Sequence, residues 1–170
     1  MESKTVTYEV KVFPNGTKEW RSNGKLHRED GPAFECGADK EWYRNGKCHR
    51  DGGPAIERAD GTKCWYVNGQ FHRVGGPAVE LSNGKKEWWI DGRCHREDGP
   101  AVEWHDGTKM WYRNGRCHRE DGPAVEFSSG KKEWWIDGEP LSEEEFLKKT
   151  APFNGKIVEI EGRKYKLSAV

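Results

Sequence analysis

The dipeptide His-Arg recurs at 27–28, 49–50, 72–73, 95–96 and 118–119, at intervals of 22, 23, 23 and 23 residues. So regular a period constrains the fold more than any other feature of the 170-residue chain. A unit of this size cannot bury its apolar side alone, so each must pack on its neighbours in a quasi-one-dimensional array. The clearest unit runs from Gly99 to Asp121 as GPAVEWHDGTKMWYRNGRCHRED. The same frame appears as GPAFECGADKEWYRNGKCHRD and GPAVELSNGKKEWWIDGRCHRED, with a partial unit from Pro14 and another ending at Gly138. The array therefore holds five His-Arg loops and six Lys-x-Trp segments.

Each unit reads as a β-hairpin. Ala101 to Trp104 is a short strand, Asp106-Gly107 a turn, and Thr108 to Arg113 a second strand, followed by the turn Asn114-Gly115. The recurring Pro (32, 54, 77, 100 and 123) lacks an N–H and suits the start of a strand, not its middle. Two short strands per unit, stacked side by side, give an all-β fold: tandem 22–23-residue β-hairpin repeats in an elongated antiparallel sheet.

Alternation along a strand assigns the faces. Lys109 and Trp111 point one way, Met110 and Tyr112 the other. The Trp set (Trp20, Trp42, Trp65, Trp88, Trp111, Trp134) occurs in every unit and is expected to form the packed seam. The residue after it makes a second aromatic stripe, Tyr43, Tyr66, Trp89, Tyr112 and Trp135. A single-layer sheet cannot bury both faces fully, so this stripe is either cover for neighbouring loops or a partner-binding surface.

The loops read HREDGP, HRDGGP, HRVGGP, HREDGP and HREDGP. The third has no acidic residue, and the Asp before Gly-Pro (Asp30, Asp98, Asp121) becomes Gly52 and Gly75. Asp and Gly share tolerance of turn geometry, not the ability to move protons or bind metal, so the loops are expected to be structural. His and Arg persist in all five. Their expected role is to tie one hairpin to the next; the alternative is an anion-binding row of Arg28, Arg50, Arg73, Arg96 and Arg119.

Cys48, Cys94 and Cys117 share a slot with Leu26 and Phe71, which marks it as apolar. Equivalent residues in adjacent units lie about 9–10 Å apart by strand spacing, beyond the roughly 4.4–6.8 Å that a disulfide spans. Five Cys without a CxxC pair argue against a disulfide framework or a zinc site. His105, beside Trp104 in a turn, is expected to be solvated.

After Gly138 the pattern changes. Ser142-Glu143-Glu144-Glu145 is a capping-box signature, predicting a short helix from Glu143 to Lys149 that ends before Pro152. Phe146 and Leu147 are expected to pack on the open edge of the sheet. Segments 156–160 and 163–167 flank Glu161-Gly162 and predict a hairpin with Val158 against Tyr165 and Glu159 against Lys164. The division is thus an array over 1–138 and a cap of short helix and hairpin over 139–170.

Composition narrows the function classes. Twenty-nine basic and 29 acidic residues give zero net charge, which disfavours nucleic acid as partner. With hydrophobic residues at 33% but nine Trp, the chain has little central core yet is too aromatic for disorder. No apolar run approaches a membrane span or a signal peptide, so the expected location is cytoplasmic. There is no nucleophile elbow, phosphate loop or HExxH, and a motif repeated five times has no unique focal pocket. No catalytic residue, metal or cofactor is expected.

The segments WYRNGKCH, WYRNGRCH and WWIDGRCH resemble MORN-type repeats, β-hairpin units built on a W-x-x-G-K-x-H pattern. The similarity spans about residues 8–138. It departs where Arg follows the His and where DGP enters the loop. The longer string WYxNGKxHREDGPA, with LSEEEFLKKTAP after the array, resembles repeat proteins of bacterial viruses and their hosts. The first resemblance implies a non-enzymatic scaffold or binding module. The second implies action on a bacterial host protein, including a defence protein, in the host cytoplasm. Three functions follow: a protein-binding module acting through the aromatic stripe or the cap, a binder of an anionic ligand (nucleic acid, nucleotide or lipid headgroup) through the Arg row, and a structural spacer in a larger assembly. Neither the partner nor the oligomeric state follows from the residues.

Overall fold

A computed structural model describes residues 7–151, 157–160 and 162–166 of the chain. Among these residues, 14 short strands form one antiparallel sheet that runs the length of the array. Its first strand, β1 (Glu9–Val12), pairs with β2 (Lys18–Ser22), which pairs in turn with Phe34–Cys36. Hairpin then follows hairpin in chain order up to Glu139–Leu141.

Each inner unit contributes two hairpins, not the one expected. In the unit from Gly99, Val102–Glu103 and Lys109–Met110 join the long sheet, while Tyr112–Arg113 and Arg116–Cys117 form a second, two-stranded ribbon. The break falls at the Trp. Trp111 donates its N–H to the Ala124 carbonyl of the next unit (2.8 Å), and its own carbonyl accepts from the N–H of His118 (3.0 Å). One residue thus serves both ribbons. The second ribbons stack as well, through Gly115 N–H to Cys94 O (2.8 Å) and Arg96 N–H to Tyr112 O (3.2 Å).

The two turns of a unit differ physically. In the Asn114-Gly115 type, both residues have positive φ (51° and 80°), the pairing that a two-residue hairpin on right-twisted strands requires. In the Asp106-Gly107 type only Gly107 does (91°), and Asp106 Oδ1 accepts from Thr108 N–H (2.8 Å).

A row of alanines runs through the core, beside the buried Val79, Cys94, Val102 and Val125. Ala33, Ala55, Ala78, Ala101 and Ala124 are each 0% exposed. Ala101 N–H donates to the carbonyl of Met110, the residue in register with Val102, so two residues face one as in a β-bulge. The Trp set is half-buried: Trp88 packs on the core cluster of Cys94, Ala101 and Val102, as expected of the seam, and an arginine side chain lies over each ring from Trp20 to Trp111.

The helix α1 (Glu143–Thr150) carries the complete capping box: Ser142 Oγ accepts from Glu145 N–H, and the Glu145 carboxylate accepts from Ser142 N–H. It packs on the last two strands of the long sheet, where Trp134 pairs with Leu141 and Trp135 with Pro140. Phe146 is buried, whereas Leu147, expected to pack beside it, is 59% exposed: successive helix residues lie about 100° apart, and one stripe faces the sheet. Ile157–Ile160 pairs with Arg163–Lys166 in the expected register, Val158 against Tyr165 and Glu159 against Lys164. The expected strand ends Lys156 and Leu167, the turn residue Glu161 and the helix stop Pro152 lie outside the described residues. No helix among the described residues is long and apolar enough to cross a membrane.

Candidate functional site

The array presents its chemistry in two rows. The first is the His-Arg loop. Each arginine lies over the Trp of its own unit, with Arg50 and Arg73 both 3.7 Å from the ring centre and Arg96 4.1 Å. The same guanidinium faces the loop glycine: a Cβ on Gly99 would lie 3.1 Å from Arg96 Cζ. Its Nε and Nη1 donors are engaged within the loop and the next strand. Arg96 Nε donates to Asp98 (3.0 Å), and Nη1 to the Pro100 carbonyl (3.2 Å) and Glu103 (3.0 Å). Arg50, Arg73 and Arg119 reach Glu57, Glu80 and Glu126 in the same way, and Arg28 lies 3.7 Å from Glu35. Hydrogen bonds from Arg28, Arg96 and Arg119 hold Asp30, Asp98 and Asp121 below the usual carboxylate range. Where Gly52 and Gly75 replace that Asp, the arginine keeps its Glu, which explains why the exchange is tolerated.

The histidines link units, as expected of them. His49 Nδ1 accepts the N–H of Asn68 in the next turn (3.0 Å), which leaves the proton on Nε2, directed at Asp51 (3.2 Å). His27 and His95 accept from Asn45 and Asn114 likewise. His118 is buried and accepts from Asp137 N–H (3.1 Å). Its Nε2 lies 3.2 Å from Glu120 but out of line for a hydrogen bond, and it has no other partner. The loops enclose charged clefts of about 550 Å³ around Trp111 and about 290 Å³ around Trp42, each lined by acids and arginines in near balance.

The second row is the aromatic stripe. Tyr43, Tyr66, Trp89, Tyr112 and Trp135 are all half-buried. Three are oriented by a glutamate two residues earlier: Tyr43 OH donates to Glu41 (2.7 Å), Trp89 Nε1 to Glu87 (2.8 Å) and Trp135 Nε1 to Glu133 (3.3 Å). Beneath lie the aliphatic and sulfur side chains. Trp89, Tyr112 and Met110 pack on Cys94, Ala101 and Val102. Tyr66 stacks on Phe71, with ring centres 4.2 Å apart, and Phe71 meets Trp89 at 5.5 Å. Between Trp89 and Tyr112 the surface dips into a groove of about 350 Å³ floored by Cys94 and Val102. A second groove, of about 450 Å³, joins Trp135 to Leu141 and the start of α1. The stripe therefore covers the core and also offers an indented apolar surface.

The five cysteines are free thiols. Burial pushes Cys48 and Cys94 up to about 12 and Cys117 to about 11, which favours the protonated thiol at neutral pH. His105 is exposed. Among the described residues no three of His, Cys, Asp and Glu converge to hold a metal ion. The cation–π stacks were missed in the sequence reading. The signal was there: Arg and the Gly before Pro are invariant together across five loops, although only their contact in space explains the pairing. No protein-family model matches the chain, and no curated protein is significantly similar to it.

Proposed function

We propose that the chain is a non-enzymatic, MORN-like repeat module that binds a protein partner through the aromatic stripe, from the Trp89–Tyr112 groove towards Trp135 and α1. The observation that carries this reading is the pre-orientation of the stripe. Glu87 and Glu133 hold the indole N–H groups of Trp89 and Trp135, so these rings lose little freedom on docking. The apolar groove floor with its glutamate edge matches the core-and-rim build of protein interfaces. The Arg row suits an anionic ligand less well, since each guanidinium already faces a carboxylate. The likeness to virus-associated repeats supports a bacterial host protein as the target, including a defence protein met in the cytoplasm.

Capture of partners from bacterial lysate on immobilised protein, identified by mass spectrometry, tests this. Replacing Trp89 and Trp135 with Ala should weaken the complex by about 30-fold, as at interface hot spots, while the fold persists. Arg96→Gln with Arg119→Gln is the matched control. Binding that survives the Trp changes, vanishes with the Arg changes and collapses with salt would establish the anionic-ligand reading instead.

A further inference from the structure

The two ends of the long sheet are finished differently. At the far end, Glu139–Leu141 contains Pro140, which has no N–H to offer, and α1 packs over the last two strands. At the near end, β1 pairs only with β2 among the described residues, and its four residues are all exposed. Val10 is 49% exposed, Val12 66% and the adjoining Phe13 40%.

The backbone of β1 is aimed outward at defined positions. Phe13 N–H donates to Thr17 O (2.9 Å), making that pair hydrogen-bonded. Alternation along an antiparallel ladder makes Lys11 and Glu19 the next bonded pair, and leaves Val12–Lys18 and Val10–Trp20 as non-bonded pairs. Trp20 agrees, since its N–H turns away to Ala33 O. The N–H and C=O groups of Val10 and Val12 therefore face the open edge.

We propose that β1 is a dimerisation edge, where two copies of this chain join β1 to β1, antiparallel, about a two-fold axis at Val10. The alternatives for a two-fold pairing over β1 fit worse. An axis at Lys11 sets that lysine against its own counterpart. An axis at Val12 sets Val10 against Pro14, which has no N–H. The axis at Val10 bonds Val10 to Val10 and Val12 to Tyr8, and places Glu9 of each copy opposite Lys11 of the other. Opposite charges directly across a ladder stabilise it, and like charges oppose it. Pairing here continues the sheet from one chain into the next and covers Val10 and Val12, which are exposed among the described residues.

Sedimentation velocity on the full chain over a concentration series tests the proposal. The wild type should show a monomer–dimer equilibrium. Val10→Pro removes an outward N–H that β2 does not use, and should give a monomer with unchanged circular dichroism and melting. Lys11→Glu should raise the dimer dissociation constant about tenfold, and combining it with Glu9→Lys should restore the dimer. A wild type that stays monomeric at the highest attainable concentration overturns the proposal. So does a dimer that survives Val10→Pro, or one that dissolves only with Trp89→Ala and Trp135→Ala.

Discussion

The Arg96 guanidinium is held between the Trp88 ring, 4.1 Å from its centre, and the backbone of Gly99, where a Cβ would come within 3.1 Å. Asp98, Glu103 and the Pro100 carbonyl fix it there, so it cannot swing aside freely. Gly99→Ala should therefore destabilise the protein by about 1–2 kcal/mol, as for overpacking. In an Arg96→Ala background the same change should cost much less. A urea double-mutant cycle measures the coupling; additive losses would show that the contact is slack.

Core burial predicts which small residue matters. Ala101 is 0% exposed, whereas the Trp rings are half-covered. Ala101→Leu should cost at least about 2–3 kcal/mol. Trp65→Ala should cost about 3 kcal/mol, at the low end for a large aromatic because the ring is only half-buried, with Arg73 over it. Trp20 at the array's end should cost less. Thermal and urea unfolding check the order.

His49→Ala should strand the N–H of Asn68 and lower stability by about 1–2 kcal/mol without altering the turn sequence. Hydrogen exchange should quicken first at Asn68 and Gly69. Unchanged protection there would mean that the histidine does not tie the units together.

Asp30, Asp98 and Asp121 have carboxyls held below their unfolded value by arginine. A depressed carboxyl stabilises the fold above the unfolded value of about 3.9 and ceases to do so as pH falls through the folded one. Melting temperature should therefore drop as pH goes below about 4. Arg96→Gln should flatten part of that drop, and added salt should weaken it because these carboxyls are exposed.

The thiols give the opposite sign. Cys94 is raised to about 12 by burial, so its contribution holds below the unfolded value of about 8.5 and fades as pH climbs towards 12. A thiol reagent at pH 8 should label Cys48, Cys94 and Cys117 slowly in the native protein and at once in urea. Rapid native labelling of Cys94 would contradict its burial.

The repeat period, the β-class, the turns and the capped helix were legible in the residues, because each follows from local chemistry: Asn-Gly and Asp-Gly reversals, Pro at strand starts, and Ser142 three residues before Glu145. The linking role of the histidines was legible too, since a residue invariant across loops that lose their acids must serve the repeat itself. The aromatic stripe could be named from strand alternation, but whether it covers or binds could not.

Tertiary structure decided what the period leaves open. Which residue of a unit is sealed depends on how the units stack: Ala101, at the bulge, is fully covered, while Trp88 packs on the same cluster and stays half-buried. The split of each unit into two ribbons depends on Trp111 bonding to His118 of its own unit and to Ala124 of the next, partners 7 and 13 residues further along the chain. The Arg96–Trp88–Gly99 stack joins residues whose order shows no contact. Sequence records the local preferences of a unit; the distances between units, which determine burial and charge pairing, exist only once the repeats are stacked.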